Sequence, residues 1–461
     1  MRLLKIKNVG PIKNVEIELT KINVIIGPQS SGKSTINKIA CYLSWVEKKV
    51  CLDQSFDFFY ADRVFLTNLE VFHKLEGYID FDSLIEYESD VLIIKYEHKI
   101  SQKDKYSVPN FKWKNQYGYK RPKISYIPAE RNVISVIPNW MDVTLPDNNI
   151  RNYMTDWNVA HNMFDKENPL NIKSLKVEYF YDEKKQSDTI LFEDNDNEIR
   201  PIGLTNASSG VQSVVPIYAL IYYFLDVIKK GKGEIQSISE TNKNRTLRKK
   251  LSQELAKNLA DTMDDSSLKD YVSKLNEIKV SLNSIKKNMD GKRPFSQVDK
   301  ELIEQFNILS QTLAFQDSFG HYTVIKNFTR NWYLDLFLEE PESNLFPSTQ
   351  KELLYFLIEK TLEIDDSSLM LTTHSPFILY ALNNCIMGGM ISKNIEQEVA
   401  AKFESYKAWI DPNKVSVWEI HDGELKDIKD KKLNVIGQHY FNNAMGDTLG
   451  EYSKMLKYFK R

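Results

Sequence analysis

Cysteine is scarce in this chain. There are three in 461 residues, Cys41, Cys51 and Cys385. They are too few for a disulfide framework, and their spacing is not that of a zinc site. The seven histidines do not cluster as metal ligands. Charge of one sign is also missing: 61 Lys and Arg stand against 63 Asp and Glu, a net charge of -2. That excludes a uniformly basic nucleic-acid coat but leaves room for a local patch. No long hydrophobic run is present; the longest, Val214 to Phe224, is too short to cross a bilayer. Met1 to Lys7 has no small-residue cleavage site and reads as no signal peptide. These absences predict a cytoplasmic protein with no membrane partner. What is there is a globular balance, 42% hydrophobic and 27% charged. At about 150 residues per domain the length suggests roughly three units.

Alternation predicts strands at Leu3 to Val9 and Val15 to Leu19, with Pro11 in the turn between them. Ile22 to Ile26 is an apolar run of the kind that forms a strand buried on both faces, and Ser34 to Val46 has helical spacing. Further strands are expected at Val91 to Tyr96, Ile124 to Ile127, Leu175 to Tyr181 and Thr189 to Phe192. An apolar helix is expected at Val214 to Ile228. At Lys229 the composition turns polar and Lys-rich. Leu247, Leu251, Leu255 and Leu259 recur at helical spacing; Leu268 through Met289 and Leu302 through Leu313 continue it. This reads as a small bundle or short coiled-coil arm of about three helices inserted in a larger domain. After it come a strand at Tyr333 to Leu338, a helix from Ser348 to Thr361 and a strand at Leu369 to Thr372. A helix opening at Ser375-Pro376 follows, then a hairpin around Asp422-Gly423 and a helical tail from Leu433. The expected division is 1–228, 229–320 and 321–461.

Four segments carry chemistry. Gly27-Pro28-Gln29-Ser30-Ser31-Gly32-Lys33-Ser34, followed by Thr35, fits G-x-x-x-x-G-K-[ST] between a buried strand and a helix. There, backbone N–H groups and a helix N-terminus cradle phosphate, Lys33 reaches the β- and γ-phosphates, and Ser34 ligates Mg²⁺. Leu336 to Glu342 ends an apolar strand in Glu339, Glu340 and Glu342. At the carboxyl edge of a parallel sheet one carboxylate can hold Mg²⁺ and the next can orient water. Thr372-Thr373-His374-Ser375-Pro376 puts a histidine at the end of the next strand. A lone histidine is more often structural; this one gains interest from following the acidic pair. Asn206 to Gln212 sets Ser208, Ser209 and Gly210 at a helix start, an N-cap that also suits an anion.

The ordered set resembles ABC-class ATPase heads of the RecF, SMC-like and OLD branch, over residues 1 to about 228 and 321 to about 430. The resemblance implies an α/β fold: an ABC-type P-loop ATPase head with a mixed or parallel sheet and an antiparallel β lobe, interrupted by the helical insertion. It also implies two heads sandwiching two ATP molecules with Mg²⁺. Gly27 to Thr35 of one head would grip the phosphates, and Ser208, Ser209 and Gly210 of the other would touch the γ-phosphate. Glu339 with Ser34 would hold the metal, Glu340 would polarise water, and His374 would read the γ-phosphate. Glu342, Ser343 and Asn344 would form the loop that crosses the dimer interface. Glu339 stands where many such heads carry Asp, and no glutamine-loop residue stands out; Gln102 and Gln116 are the candidates. Tyr126 to Asn132 resembles a segment of the OLD-like branch, which places Arg131 near nucleotide.

The segment after His374 contains no Asp-x-Asp group of the kind a TOPRIM nuclease needs. The chain therefore resembles stand-alone AAA_15- or AAA_21-type ATPases without TOPRIM, such as the ATPase subunits of PARIS- and Septu-type antiphage systems. The expectation is an ATPase without nuclease activity of its own. Its homodimer or higher homo-oligomer would gate a separate TOPRIM or HNH effector. Two alternatives are a slow-turnover ATP-dependent scaffold and a RecF-like DNA-maintenance ATPase. The second would use the basic cluster Lys229, Lys230, Lys232, Arg245, Arg248, Lys249 and Lys250 as its DNA contact; such a run is more often a solvated helix face.

Overall fold

The computed structural model describes residues 2–61, 63–99, 107–137, 140–193, 196, 198–230, 238–262, 266, 269, 273, 323–456, 458 and 459. The chain divides into two compact units: Met1–Gly118, Pro122–Lys232 and Asn331–Arg461 form the first, Tyr119–Arg121 and Gly233–Arg330 the second.

The strands of the first unit begin with β1 (Arg2–Val9), β2 (Ile12–Leu19), β3 (Ile22–Ile26), β4 (Ile79–Glu88), β5 (Leu92–Glu97), β6 (Asn110–Trp113) and β7 (Pro122–Ile127). There follow β8 (Leu170–Ile172), β9 (Val177–Asp182), β10 (Ser187–Glu193) and β11 (Ile199–Gly203), then β12 (Tyr333–Glu339), β13 (Ser368–Thr373), β14 (Val415–His421) and β15 (Glu424–Asp427). Eleven of them make one sheet in the order β6-β5-β4-β1-β2-β15-β14-β3-β13-β12-β7. Its β14-β3-β13-β12-β7 half is parallel, and its β6-β5-β4-β1-β2 half is antiparallel. The remaining four form a separate antiparallel sheet, β11-β10-β9-β8. The fold is therefore α/β, with a mixed sheet and an antiparallel lobe.

The burial patterns explain the two halves. In β3 all five residues are buried, because helices or strands cover both faces. In β2, buried Val15, Ile17 and Leu19 alternate with exposed Glu16 and Glu18, the mark of a sheet with one wet face. The halves meet through the β14–β15 hairpin. Asp422 and Gly423, with φ of 48° and 80°, make its tight turn. The Gly423 carbonyl accepts from the backbone N–H of Lys13 (2.9 Å) and Asn14 (3.1 Å).

The sheet curls around α1 (Lys33–Asp53). On one side of α1, Glu47 accepts hydrogen bonds from Tyr87 of β4 and from Ser89, both at 2.7 Å. On the other side, Lys48 Nζ donates to the Pro122 carbonyl of β7 (2.9 Å). Arg2 of the antiparallel half closes the curl: its guanidinium forks onto Asp335 of β12 at 2.7 and 3.0 Å and donates to Ser368. Cys41, Cys51 and Cys385 are all buried, and burial pushes each thiol up, Cys385 to about 12.

Beneath the parallel half pack α2 (Asn149–Ala160) and α3 (Ser209–Lys230). The apolar run Val214 to Phe224 is by itself too short to span a membrane, but α3 as a whole runs 22 residues and is long and apolar enough to do so. Most of it is buried in the first unit, as a core helix is.

In the second unit, α4 (Ile238–Thr262) buries Leu247, Leu251 and Leu255. Leu259 and the two later stripes of the insertion lie outside the residues whose burial is described. The chain then continues in the first unit with α5 (Pro347–Leu362), α6 (Pro376–Ile391) and α7 (Tyr440–Leu456). The tail helix begins at Tyr440, seven residues later than the expected start at Leu433. Asp430 explains the delay: its carboxylate accepts the N–H groups of Lys432 and Leu433 and holds a turn there.

Candidate functional site

Three adjacent parallel strands end side by side. Ile26 of β3 lies opposite Thr373 of β13, and Thr372 of β13 lies opposite Glu339 of β12. The segments predicted to carry chemistry at Gly27–Ser34, Glu339–Glu342 and His374 therefore leave one carboxyl edge together, the ligand edge of an open α/β sheet.

The loop from Gly27 to Gly32 needs its glycines. Gly27 has φ 150° and Gly32 φ 105°, and a Cβ on Gly27 would lie 2.5 Å from the Ile420 carbonyl oxygen. Ser30 is also left-handed, φ 57°, and Ser31 Oγ donates to the Pro28 carbonyl at 2.8 Å. Gly32 caps α1 without a side-chain hydrogen bond, so the N-terminal dipole of α1 faces the loop. Lys33 folds back over the loop, and its Nζ donates to the Gly27 and Pro28 carbonyls at 2.9 and 2.6 Å. Burial lowers its pKa to about 8, against the opposing pull of Glu340 and Glu342.

At the end of β12, Glu339 is 5% exposed and its Oε2 accepts the Ala129 N–H at 3.4 Å. Glu339 Oε1, Thr372 Oγ1, Glu342 Oε2 and the Tyr126 hydroxyl are buried without a partner at hydrogen-bond geometry. Burial and the neighbouring Glu339 push the Tyr126 phenol well up. Glu340 turns left-handed, φ 43°, with its N–H held by the Thr372 carbonyl at 2.9 Å. Its carboxylate faces outward, 3.7 Å from His374 Nε2, and accepts from Ser343 Oγ at 3.2 Å. Burial and Lys33 lower the His374 pKa, which favours the neutral ring. Glu342 points inward, where its Oε1 accepts the His374 N–H at 2.5 Å and burial pushes its carboxyl up.

Ser208, Ser209 and Gly210 open α3 elsewhere. Both serines are exposed, and among the described residues no hydrogen bond joins them to the phosphate loop. They sit instead beside the end of the acidic loop: a Cβ on Gly210 would lie 3.1 Å from the Asn344 carbonyl oxygen, and Asn344 Nδ2 donates to Ser213 Oγ at 3.1 Å. Phe346, just beyond, is 76% exposed.

Arg131 differs from expectation. It is 1% exposed, and its guanidinium is spent on backbone carbonyls behind the acidic loop, so it does not face a nucleotide. Gln116 is engaged with Gln54 at 2.9 Å, and Gln102 lies outside the described residues. Thr372, Tyr126 and the inward role of Glu342 were not anticipated. Strand alternation from Glu339 would have turned Tyr126 and Thr372 toward it only once the β7-β12-β13 order was known. Among the described residues, no cluster of three or more His, Cys, Asp or Glu is placed to hold a metal by itself.

Residues 1–379 match the family described as the AAA ATPase domain. No curated protein matches the chain. Among solved structures, the SMC head domain from Thermotoga maritima is similar at 11% identity, over 93% of this chain and 98% of that one, with a TM-score of 0.36. The recombination mediator RecF of the RecFOR pathway is similar at 12% identity, over 92% and 97%, with a TM-score of 0.27. The Smc head domain from Pyrococcus furiosus, with an extended coiled coil and bound to the C-terminal domain of ScpA, is similar at 11% identity, over 98% and 100%, with a TM-score of 0.25.

Proposed function

The chain belongs to the AAA ATPase domain family, and on that premise we propose that it is an ATP-hydrolysing head of the SMC and RecF type, closing in pairs around ATP and Mg²⁺. The observation that carries this is the shared carboxyl edge of β3, β13 and β12, which gathers a phosphate loop, a histidine and two carboxylates. Gly27 to Thr35 bind the phosphates, and Lys33 exchanges its two loop carbonyls for phosphate oxygens. Ser34 and Glu339 would hold Mg²⁺. The buried, unpartnered Glu339 Oε1 fits a bound water or cation, and the small donor set fits a metal that keeps waters and substrate oxygens. When bound, Mg²⁺ neutralises charge developing on the phosphates. Glu340 orients a water and takes its proton as the water attacks the γ-phosphorus. The bond from that phosphorus to the bridging oxygen breaks, leaving ADP and phosphate. His374, neutral and 3.7 Å from Glu340, donates to the γ-phosphate.

The exposed Ser208 and Ser209, beside an exposed Phe346, support their use by the opposite head of a homodimer or larger homo-oligomer. We take the pair to gate a separate effector nuclease in antiphage defence. The strands that follow His374, β14 and β15, pair into the head's own sheet and so belong to the ATPase head. The DNA-maintenance alternative stands beside it: Lys229 and Lys230 pair with Glu363 and Asp226 at the surface, where such pairs are weak and exchange readily for phosphate.

Turnover assays test the proposal. Glu340→Gln is expected to bind ATP and lose about 10²-fold or more in kcat, the scale of a general base; Lys33→Ala is expected to lose nucleotide binding. Wild-type turnover no faster than Glu340→Gln would sink the hydrolysis claim. An oligomer unchanged in size between ATP-bound Glu340→Gln and nucleotide-free protein would sink the paired-head claim.

A further inference from the structure

Pro216 sits inside α3 and has no N–H to give the Gln212 carbonyl four residues back. Ser135 Oγ donates to that carbonyl instead, at 3.0 Å. The next carbonyl, Ser213, accepts Arg131 Nε at 3.2 Å. The same guanidinium donates through Nη1 to the Glu339 carbonyl (3.0 Å) and through Nη2 to the Glu340 (2.9 Å) and Pro341 (3.3 Å) carbonyls. Tyr153 Oη donates to the Arg131 carbonyl at 2.8 Å and fixes the backbone behind it. A planar fork is thus locked on two segments at once: the first turns of the helix opened by Ser208–Gly210, and the three peptides that set the direction of Glu340. Asn344 repeats the link from the other end of the loop, through Ser213 Oγ.

We propose that Arg131 is a positioning residue that couples the Ser208–Gly210 helix start to Glu340. A shift of α3 as an opposing head's nucleotide binds at Ser208–Gly210 is passed through the guanidinium to the left-handed peptide at Glu340, which brings the carboxylate to its water. A fork fits this role where an ammonium does not, because one rigid plane spans carbonyls of both segments. The proposal rests on the ATPase reading for its kinetic consequence, while the coupling itself is a property of the fold.

The test compares wild type, Arg131→Lys, Asn344→Ala and the double variant. Arg131→Lys is expected to keep nucleotide affinity and KM within about twofold while kcat falls on the order of 30- to 100-fold, the scale of a small misplacement of a catalytic group. Asn344→Ala should lower kcat by about fivefold, and the double variant should be no slower than Arg131→Lys by more than about twofold, because both bridges must be intact to hold the loop to Ser213. Wild-type kcat in Arg131→Lys, or losses that multiply fully in the double variant, would overturn the coupling. If Arg131→Lys does not fold, Asn344→Ala decides alone: full activity counts against the proposal. Amide hydrogen exchange separates this idea from the ATPase reading. Should wild type prove unable to hydrolyse ATP, faster exchange in both 339–345 and 209–216 in the variants still supports the link, and unchanged exchange overturns it.

Discussion

Lys33 spends its free-state hydrogen bonds on its own loop, and burial lowers its pKa to about 8. Below that pH the amine is charged; above it the neutral form prevails. Triphosphate favours the ammonium, so binding must restore a proton wherever the free amine has lost one. Proton uptake on ATP binding is expected to be about half a proton per site at pH 8 and about a tenth at pH 7, with affinity falling as pH rises through 8. Calorimetry in buffers of different ionisation enthalpy measures it; equal uptake at both pH values would contradict the assignment. The phosphate loop was legible in the sequence because its chemistry is local: strand, glycines, lysine and helix follow one another within a few residues. Arg131 was not. Its acceptors are backbone carbonyls 82 to 210 positions away, and a carbonyl leaves no trace in residue identity.

At the scale of elements, α3 shows how a proline inside a helix creates a docking point for a neighbour. Removing the Ser135 hydroxyl leaves the buried Gln212 carbonyl unsatisfied, at a cost of about 1–3 kcal/mol. In a Pro216→Ala background the new alanine supplies the missing N–H, so Ser135→Ala should cost less there. Denaturant melts of the four proteins give the cycle, and equal costs in both backgrounds would reject the account. The β14–β15 turn is a second such point. A Cβ on Gly423 would meet the Pro11 carbonyl oxygen at 2.6 Å and the Lys13 nitrogen at 2.7 Å, in a left-handed peptide. Gly423→Ala is expected to destabilise by about 2 kcal/mol or more, since strain and close contact add. The hairpin itself was readable from Asp422-Gly423; its service as the seam between the half-sheets was not, because that depends on which strand lies beside it.

For the whole molecule, the partly buried pairing of Arg2 with Asp335 joins residues 333 positions apart and holds the sheet closed around α1. Asp335→Asn leaves the guanidinium without its counter-charge and should cost about 2–3 kcal/mol, the low side of a broken buried pair because Arg2 is 19% exposed. A thermal melt reads this directly: at about 2.1 cal/mol/K of unfolding entropy per residue, a unit of this size should lose about 3–4 °C, and an unchanged melting point, within about 1 °C of wild type, would contradict it. The order of motifs foretold the α/β head, because each motif carries its own strand and helix. The curl of the sheet was hidden, for it depends on pairings that span the chain.

The three buried thiols have a practical consequence. A thiolate is the reactive form, and burial suppresses it at all three positions. The native protein should therefore take up almost no maleimide at neutral pH, and three equivalents once unfolded. The natural chain already serves as a silent background for site-specific dyes. A single added thiol at an exposed position such as Glu398→Cys would carry one fluorophore per chain, so that the approach of two copies can be followed as a distance, in real time, as ATP is added.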